Sequence, residues 1–516
     1  YRENVLLQSN AFSASPWSLS SATISGGQSG YDGSNDAWIF TTSVSGAALA
    51  RSFSETGIVT FSVYAKAGSV NGIRLRIDTN SDANGFFDLV NGTSTSSGDI
   101  DTNIENIGSG WYRCSVSHNA VGPVKLQFFT TDGTSSYDNG SILIQSAQLE
   151  TGLVATDYLN STSTTGKSGL LIDMPRINYD ANGENGALLL EPSRKNVVTN
   201  TEYVSSNDYV VGNWTGTITT NTTETLSPEG VYNATKFVKA GASDRVYFHN
   251  SQPDGAYTGS IYLKAASGSE NKTIEISIRR FGGGGGSTSK LVTITNEWQR
   301  FDVSASNLTG GTTTAMYISD FSSAGTATDF YSYGMQIEAG SYMTSLIPNH
   351  GTSGGVTRAG DVCTGAGNAE SINSVEGVLY AEIAALTQDN TSVVEITLND
   401  GSSANRVAIT FTTSNNALRT LVRVGGVNQL NTTSSLSNIT EYKKIAVKYK
   451  ANDFALWVNG IELHTDNTGI TFSALTLNNL SFNNGDASSD FFGNAKQVIV
   501  FNEALSDSEL ATLTTL

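Results

Sequence analysis

The chain reads as all-β: three β-sandwich (jelly-roll) domains in tandem, of which the first two are an internal repeat. Three observations predict this. Segments of four to nine residues such as "TFSVYAKA", "VKLQFFTT" and "TIEISIRR" alternate apolar with polar residues, the pattern of strands with one face on a core. Clusters of Gly, Asn, Asp and Ser bound those segments, and these residues tolerate the dihedral angles of tight turns. A set of phrases also recurs in the same order at offsets of 187 to 198 residues, so one domain occurs twice.

Composition narrows the function. Of 516 residues only 15% are charged, and 29 Lys and Arg against 47 Asp and Glu leave a net charge of −18. Phosphate backbones and anionic membranes need clustered Lys and Arg, so nucleic acid and membrane surfaces are excluded as partners. A hydrophobic share of 38%, spread evenly, separates the chain from disordered sequences. No stretch reaches the roughly 18 apolar residues of a membrane span, so no membrane insertion is expected. Cys114 and Cys363 have no metal-type spacing, and nothing in the sequence argues that they pair. His118, His249, His350 and His464 form no HxH or HExxH pattern.

The first copy is expected over 1–160 and the second over 196–350. Arg2-Glu3-Asn4-Val5-Leu6 returns as Arg194-Lys195-Asn196-Val197-Val198, and "SVYAKA" (Ser62 to Ala67) as "SIYLKA" (Ser260 to Ala265). "WYRCSVS" (Trp111 to Ser117) returns as "WQRFDVS", and "QLETG" (Gln148 to Gly152) as "QIEAG". In this frame the run Gly282 to Gly286 falls between two strands of the second copy, a hairpin loop and not a linker. Residues 161–195, "GLLIDMPRINYDANGENGALLLEPSRKN" at their centre, place two apolar runs around an Asp/Asn/Gly turn and predict a connecting β-hairpin. Tyr1-Arg2 aligns with the middle of that unit, so residues upstream of Tyr1 are expected. A small-residue linker over 351–374 leads to a third sandwich over 375–516, which closes on "SDSELATLTTL", a short helix with Ser506 as cap and Glu509 at the capping-box position.

"KKIAVKYKANDFALWVNGIEL" and "FFGNAKQVIVFNEALSDSEL" resemble the laminin-G-like, concanavalin A-like jelly roll, with Trp457-Val458-Asn459-Gly460 and Phe501 to Ser506 in the family's pattern. The repeated copies, through "NVLLQSN", "GWYRCSVS", "QLETG" and "PRINYDANGENGALLLEPSRKN", resemble carbohydrate-binding-module-type jelly rolls of bacteriophage tail and fibre proteins. That resemblance implies a non-enzymatic protein of the virion surface or another extracellular setting, adhering to cell-surface polysaccharide or glycan. It also implies contact with other virion proteins through an N-terminal region, and a homo-oligomer, a trimer being common among such fibres. Two alternatives stay open: a spacer or capsid decoration without a ligand, and the binding-module part of a secreted polysaccharide-degrading enzyme.

Sugar sites on such sandwiches stack an aromatic ring on the sugar and flank it with planar polar side chains. Trp17 pairs with Trp214 and Trp111 with Trp298 across the repeat, which marks them as core. Trp38 has Thr235 as its counterpart, so it is the binding candidate, against the plainer alternative of a half-buried strand residue. Asn459, beside Trp457 in the third domain, is the other ligand-binding candidate. Calcium is the one cofactor considered, with Asp486, Asp490, Asn399 and Asp400 offering hard oxygens in two loops, against the alternative of solvated turns. Arg113 with Glu150, repeated as Arg300 with Glu338, is read as an internal ion pair tying two strands. No catalytic residue is expected: hydrolases of the resembled jelly roll carry E-x-D-x-x-E on one strand, which is absent here, and the acids of "GDIDTNIEN" read as a turn-rich loop.

Overall fold

A computed structural model describes all residues except 1, 79–82, 99, 121, 123, 169–174, 181, 203, 205–208, 242, 282–284, 320–324 and 389–391. The chain forms two compact units, one from Tyr1–Ile172 with Lys195–Thr357 and one from Asp173–Arg194 with Arg358–Leu516. Nearly all regular structure is β, in paired antiparallel sheets, as the alternation predicts.

In the first unit, the first copy builds two six-stranded sheets. One runs, in spatial order, Asp101–Gly108, Trp111–Ala120, Gly57–Ala67, Ser141–Thr151, Ala37–Thr42, Ala22–Gln28. Its partner carries Ala48–Phe53, Val124–Thr131 and Gly72–Asp78 at its centre. Inward residues of both sheets meet in one core, with the rings of Phe61 and Phe128 5.2 Å apart and edge-on. The acids of "GDIDTNIEN" correct the sequence reading: from Asp101 the segment is an edge strand paired with Trp111–Ala120, its alternate residues facing solvent. Asp99 lies outside the described residues.

The second copy repeats the plan with two five-stranded sheets around Phe237, Phe330, Ile261 and Met316. The glycine run leaves the strand Thr273–Phe281, whose partner Ser287–Thr293 is paired to it from Thr273↔Thr293 to Arg279↔Ser287. Gly282 to Gly284 lie outside the described residues. The copies agree down to single hydrogen bonds. Buried Asn4 donates to the Ala147 and Leu159 carbonyls at 3.1 and 2.8 Å and accepts from the Leu149 N–H at 3.1 Å. Asn196 likewise donates to the Ile347 carbonyl at 2.8 Å and accepts from the Ile337 N–H at 3.2 Å. Ser146 and Gly334 occupy the same bulge of the long central strand with φ of 56° and 65°.

The second unit packs a seven-stranded sheet on a five-stranded one around Leu379, Val447, Leu456, Ile409 and Val422. The strand Glu376–Ala385 is apolar on both faces because its outer face is also covered, by the helix Asp507–Thr514 through Leu510, Trp457 and Tyr380. The Ser506 N–H donates to Glu509 at 2.8 Å, the capping-box contact read from the sequence. The hairpin 177–190 does more than connect: Leu188 to Leu190 pair with Gly493 to Ala495, so its second strand extends the seven-stranded sheet. No helix among the described residues is long and apolar enough to cross a membrane.

Candidate functional site

The bulge at Ser146 turns the central strand of the first sandwich so that Gln145, fully buried, lies beneath the loop Gly30 to Asp36. That loop is a closed turn: the Gly30 N–H donates to the Ser34 carbonyl at 2.9 Å, and Gly33 supplies the positive φ of 83°. The Gln145 amide organises it. Its Oε1 accepts from the Tyr31 N–H at 3.0 Å, and its Nε2 donates to Asp32 Oδ1 at 3.2 Å, Ser34 Oγ at 3.2 Å and Asp36 Oδ1 at 2.5 Å. Two exposed carboxylates are thus held side by side on a buried amide. The Ser34 hydroxyl foremost, with the Ser34 N–H and Gln145, holds the Asp32 carboxyl below its ordinary range.

Trp38 stands on the adjoining strand Ala37–Thr42. Its indole Nε1 donates to the Asn10 carbonyl at 2.8 Å, its ring meets Phe12 edge-on at 6.3 Å, and Gly26 lies against its six-membered ring. A Cβ at Gly26 would come within 3.3 Å of that ring. Asn10 ties the corner together, donating to the Asp36 carbonyl at 3.2 Å and accepting from the Ser146 N–H at 2.9 Å. Trp38, Tyr158, Asn10, Asp32, Asp36 and Asn160 line an open cavity of about 670 Å³ with no Lys, Arg or His in its wall. An aromatic ring, a phenol, two carboxylates and planar amides around one concavity form a surface able to stack and hydrogen-bond a polyhydroxylated ring.

Of the residues singled out in the sequence, Trp38 is therefore half-buried and also lines a cavity. Trp17 and Trp111 are buried, but Trp214 and Trp298 are only half-buried and correct the core reading: Trp214 packs edge-on to Phe237 at the core's margin, and the Trp298 indole donates to the Leu226 carbonyl at 2.7 Å. Asn459 is the first residue of an Asn-Gly hairpin turn at φ 51°; its Oδ1 accepts from the Lys444 N–H at 3.0 Å. Asn399 is fully buried, with its Oδ1 on the Gly401 N–H at 2.9 Å. Asp400 accepts from the Ser402 N–H and hydroxyl at 3.0 and 2.6 Å and from Asn405 at 2.7 Å. The Asp486 carboxylate accepts from the Ser488 hydroxyl at 2.8 Å, and Asp490 bridges to Glu395 through its backbone. The side-chain oxygens of Asn399, Asp400 and Asp486 thus serve their own turns, and among the described residues no three His, Cys, Asp or Glu side chains converge as metal ligands would.

Arg113 and Glu150 do not act as the simple ion pair expected. Both grip Thr156: Arg113 donates to its carbonyl, while Glu150 accepts from its N–H at 2.9 Å and its hydroxyl at 2.5 Å. The second copy repeats this on Thr344, with Arg300 at 2.7 Å and Glu338 at 2.7 Å to both N–H and hydroxyl. Sequence reasoning missed Asp32, Asp36, Gln145 and Asn10. The available signal was the divergence of "YDGSNDAW" from "PEGVYNAT" inside an otherwise matching frame.

No family model and no curated protein matches the chain. Among solved structures it is similar to the CBM40 of a Ruminococcus gnavus IT-sialidase, at 16% identity over 30% of this chain and 96% of that one, with a TM-score of 0.25. It is similar to the tandem CBM22-1-CBM22-2 domains of Paenibacillus barcinonensis Xyn10C, at 10% identity over 66% of this chain and 97% of that one, with a TM-score of 0.23. It is also similar to domains LG4-5 of the mouse laminin alpha1 chain, at 8% identity over 56% of this chain and 97% of that one, with a TM-score of 0.20.

Proposed function

We propose that this chain is a non-enzymatic adhesion protein that binds cell-surface glycan through the Trp38 pocket of its first sandwich, as part of a virion appendage. The observation that carries the binding role is the cavity itself, in which Trp38 and Tyr158 stand beside Asn10, Asp32, Asp36 and Asn160. The virion setting is supported by the resemblance of the repeated copies to phage fibre modules. A non-catalytic role is supported by the sequence, which has no E-x-D-x-x-E run of the kind hydrolases of the resembled jelly roll carry on one strand. Weak single sites of this kind gain avidity when many copies are displayed on one particle.

A glycan array probed with the full chain, with calcium and with chelator, tests this reading and the ion expected from the third domain's loops. Saturable binding by the native chain that Trp38→Ala abolishes is the expected result. Silence of the native chain on every glycan, with and without calcium, overturns it in favour of a spacer or decoration.

A further inference from the structure

The second sandwich carries the same pocket, and there it is filled. Its loop Ser227 to Asn233 repeats the closure of Gly30 to Asp36: the Ser227 N–H donates to the Val231 carbonyl at 2.8 Å, and Gly230 has a φ of 80° where Gly33 has 83°. With the shared bulge, this equates Asn10, Asp32, Asp36 and Gln145 with Glu202, Glu229, Asn233 and Tyr333. Into that socket comes Arg2 of the first sandwich, its guanidinium paired with Glu229 and donating to the Thr151 carbonyl at 3.2 Å. The Asn233 amide donates to Glu202 and Glu229 at 3.0 and 3.2 Å, joining both carboxylates beside the cation. The fold therefore uses this concavity to hold a cationic group.

The first sandwich also has two carboxylates there, Asp32 at the position of Glu229 and Asp36 at that of Asn233, with Asn10 in place of Glu202; both acids are exposed, and Trp38 stands where the second has Thr235. An indole is the best aromatic partner for a cation, and carboxylates next to it complete an ammonium site. The cavity of about 670 Å³ is far larger than an arginine side chain needs and falls in the range of small-molecule sites. Exposed carboxylates also suit a hydrated ligand better than a dry guanidinium.

We infer that the Trp38 pocket takes an amino sugar, a hexose bearing a free protonated amine, with the amine at Asp32 and Asp36 and the ring on Trp38. This deepens the glycan reading above and rests on it. The paired carboxylates and the lack of any cation in the wall set the pocket against uronic and other acidic sugars.

The test is calorimetric titration of the full chain with tetrasaccharides of glucosamine, N-acetylglucosamine and a uronic acid, and with arginine amide. The glucosamine oligomer should bind at least tenfold more tightly than the N-acetylated one, and the uronate should not bind. Because the whole chain is acidic, charge alone attracts any polyamine, so Trp38→Ala, which removes no charge, is the decisive variant; it should lose at least tenfold, as should Asp36→Asn. Asp254→Asn, an acid of the second sandwich outside the pocket, should lose nothing. Equal affinity for the acetylated and free-amine oligomers at a Trp38-dependent site overturns the amine assignment and leaves the glycan reading standing. Trp38-dependent binding of arginine amide tighter than of any sugar overturns it in favour of a protein ligand. No sugar binding at all overturns both.

Discussion

Replacing His350 by glutamine should uncover a pH dependence of stability that His350 and Glu202 cancel between them in the native chain. Glu202 and His350 lie together where the repeated sandwiches meet, 2% and 14% exposed at the side chain, with Arg2, Glu229 and Tyr333 facing them. Burial pushes the Glu202 carboxyl up from 4.5 to about 7, against the pull of Arg2. Burial first, then Arg2, pushes the His350 imidazole down from 6.5 to about 4. Each displacement is worth roughly 3 kcal/mol of stability. For Glu202 the folded value is raised, so its contribution is present below pH 4.5 and lost as pH rises toward 7. For His350 the folded value is lowered, so its contribution is present above pH 6.5 and lost as pH falls toward 4. Folding thus takes up a proton at one group and releases one at the other over nearly the same interval, and the pair contributes a level term. His350→Gln leaves the carboxyl alone: relative to the native protein, stability should rise by roughly 3 kcal/mol as pH falls from 7 to 4.5. Glu202→Gln should do the reverse, losing a similar amount as pH falls from 6.5 to 4. Urea unfolding midpoints taken at half-unit pH steps report both. Parallel pH curves for His350→Gln and the native chain would refute the reasoning.

Glu150→Ala and Glu338→Ala strand the N–H and hydroxyl of Thr156 and of Thr344 and take one acceptor from Gln148 and Gln336, and should each cost about 3 kcal/mol or more in urea unfolding. The two losses should be close in size because the clamp is duplicated. Gly57→Ala adds a Cβ 2.2 Å from the His350 carbonyl oxygen at a φ of 86°, and should lower the melting temperature of the first unit without touching the Trp38 pocket. Glu509→Ala removes the acceptor for the Ser506 N–H and should loosen the C-terminal helix by about 0.5–1 kcal/mol, read as a change in Trp457 fluorescence.

The all-β class was legible because alternation is a local property, and turn residues mark where it stops. The repeat was legible because its anchors, such as Asn4 and Asn196, are the residues that close each sandwich, so they recur in order. What stayed hidden was non-local. Nothing near Leu188 announces that its partner is Ala495, and nothing near Arg113 says that it meets the Thr156 carbonyl instead of a carboxylate. Trp38 stood out because its counterpart is not aromatic. Asp32 and Asp36 did not, since in a Gly-rich turn an acid looks like any other turn residue until the buried Gln145 beneath it is seen.

The strand Ala187–Leu190 has a consequence for how the chain is made. With Ile177–Asn178 it belongs to a sheet whose remaining strands begin at Glu376, so the whole second repeat is an insertion within the second unit. A ribosome delivers residues 187–190 about 300 residues before their partners Gly493 to Ala495. Until then one edge of the last domain waits, unpaired, on a chain whose neighbouring sandwiches have already had time to close. Because loop closure over such a span is slow and its entropy must be met before the contacts form, completion of this edge should be among the last events of folding. A fragment begun at Val375 would lack it altogether and bare the backbone edge of Gly493 to Ala495, an invitation to pair with other chains.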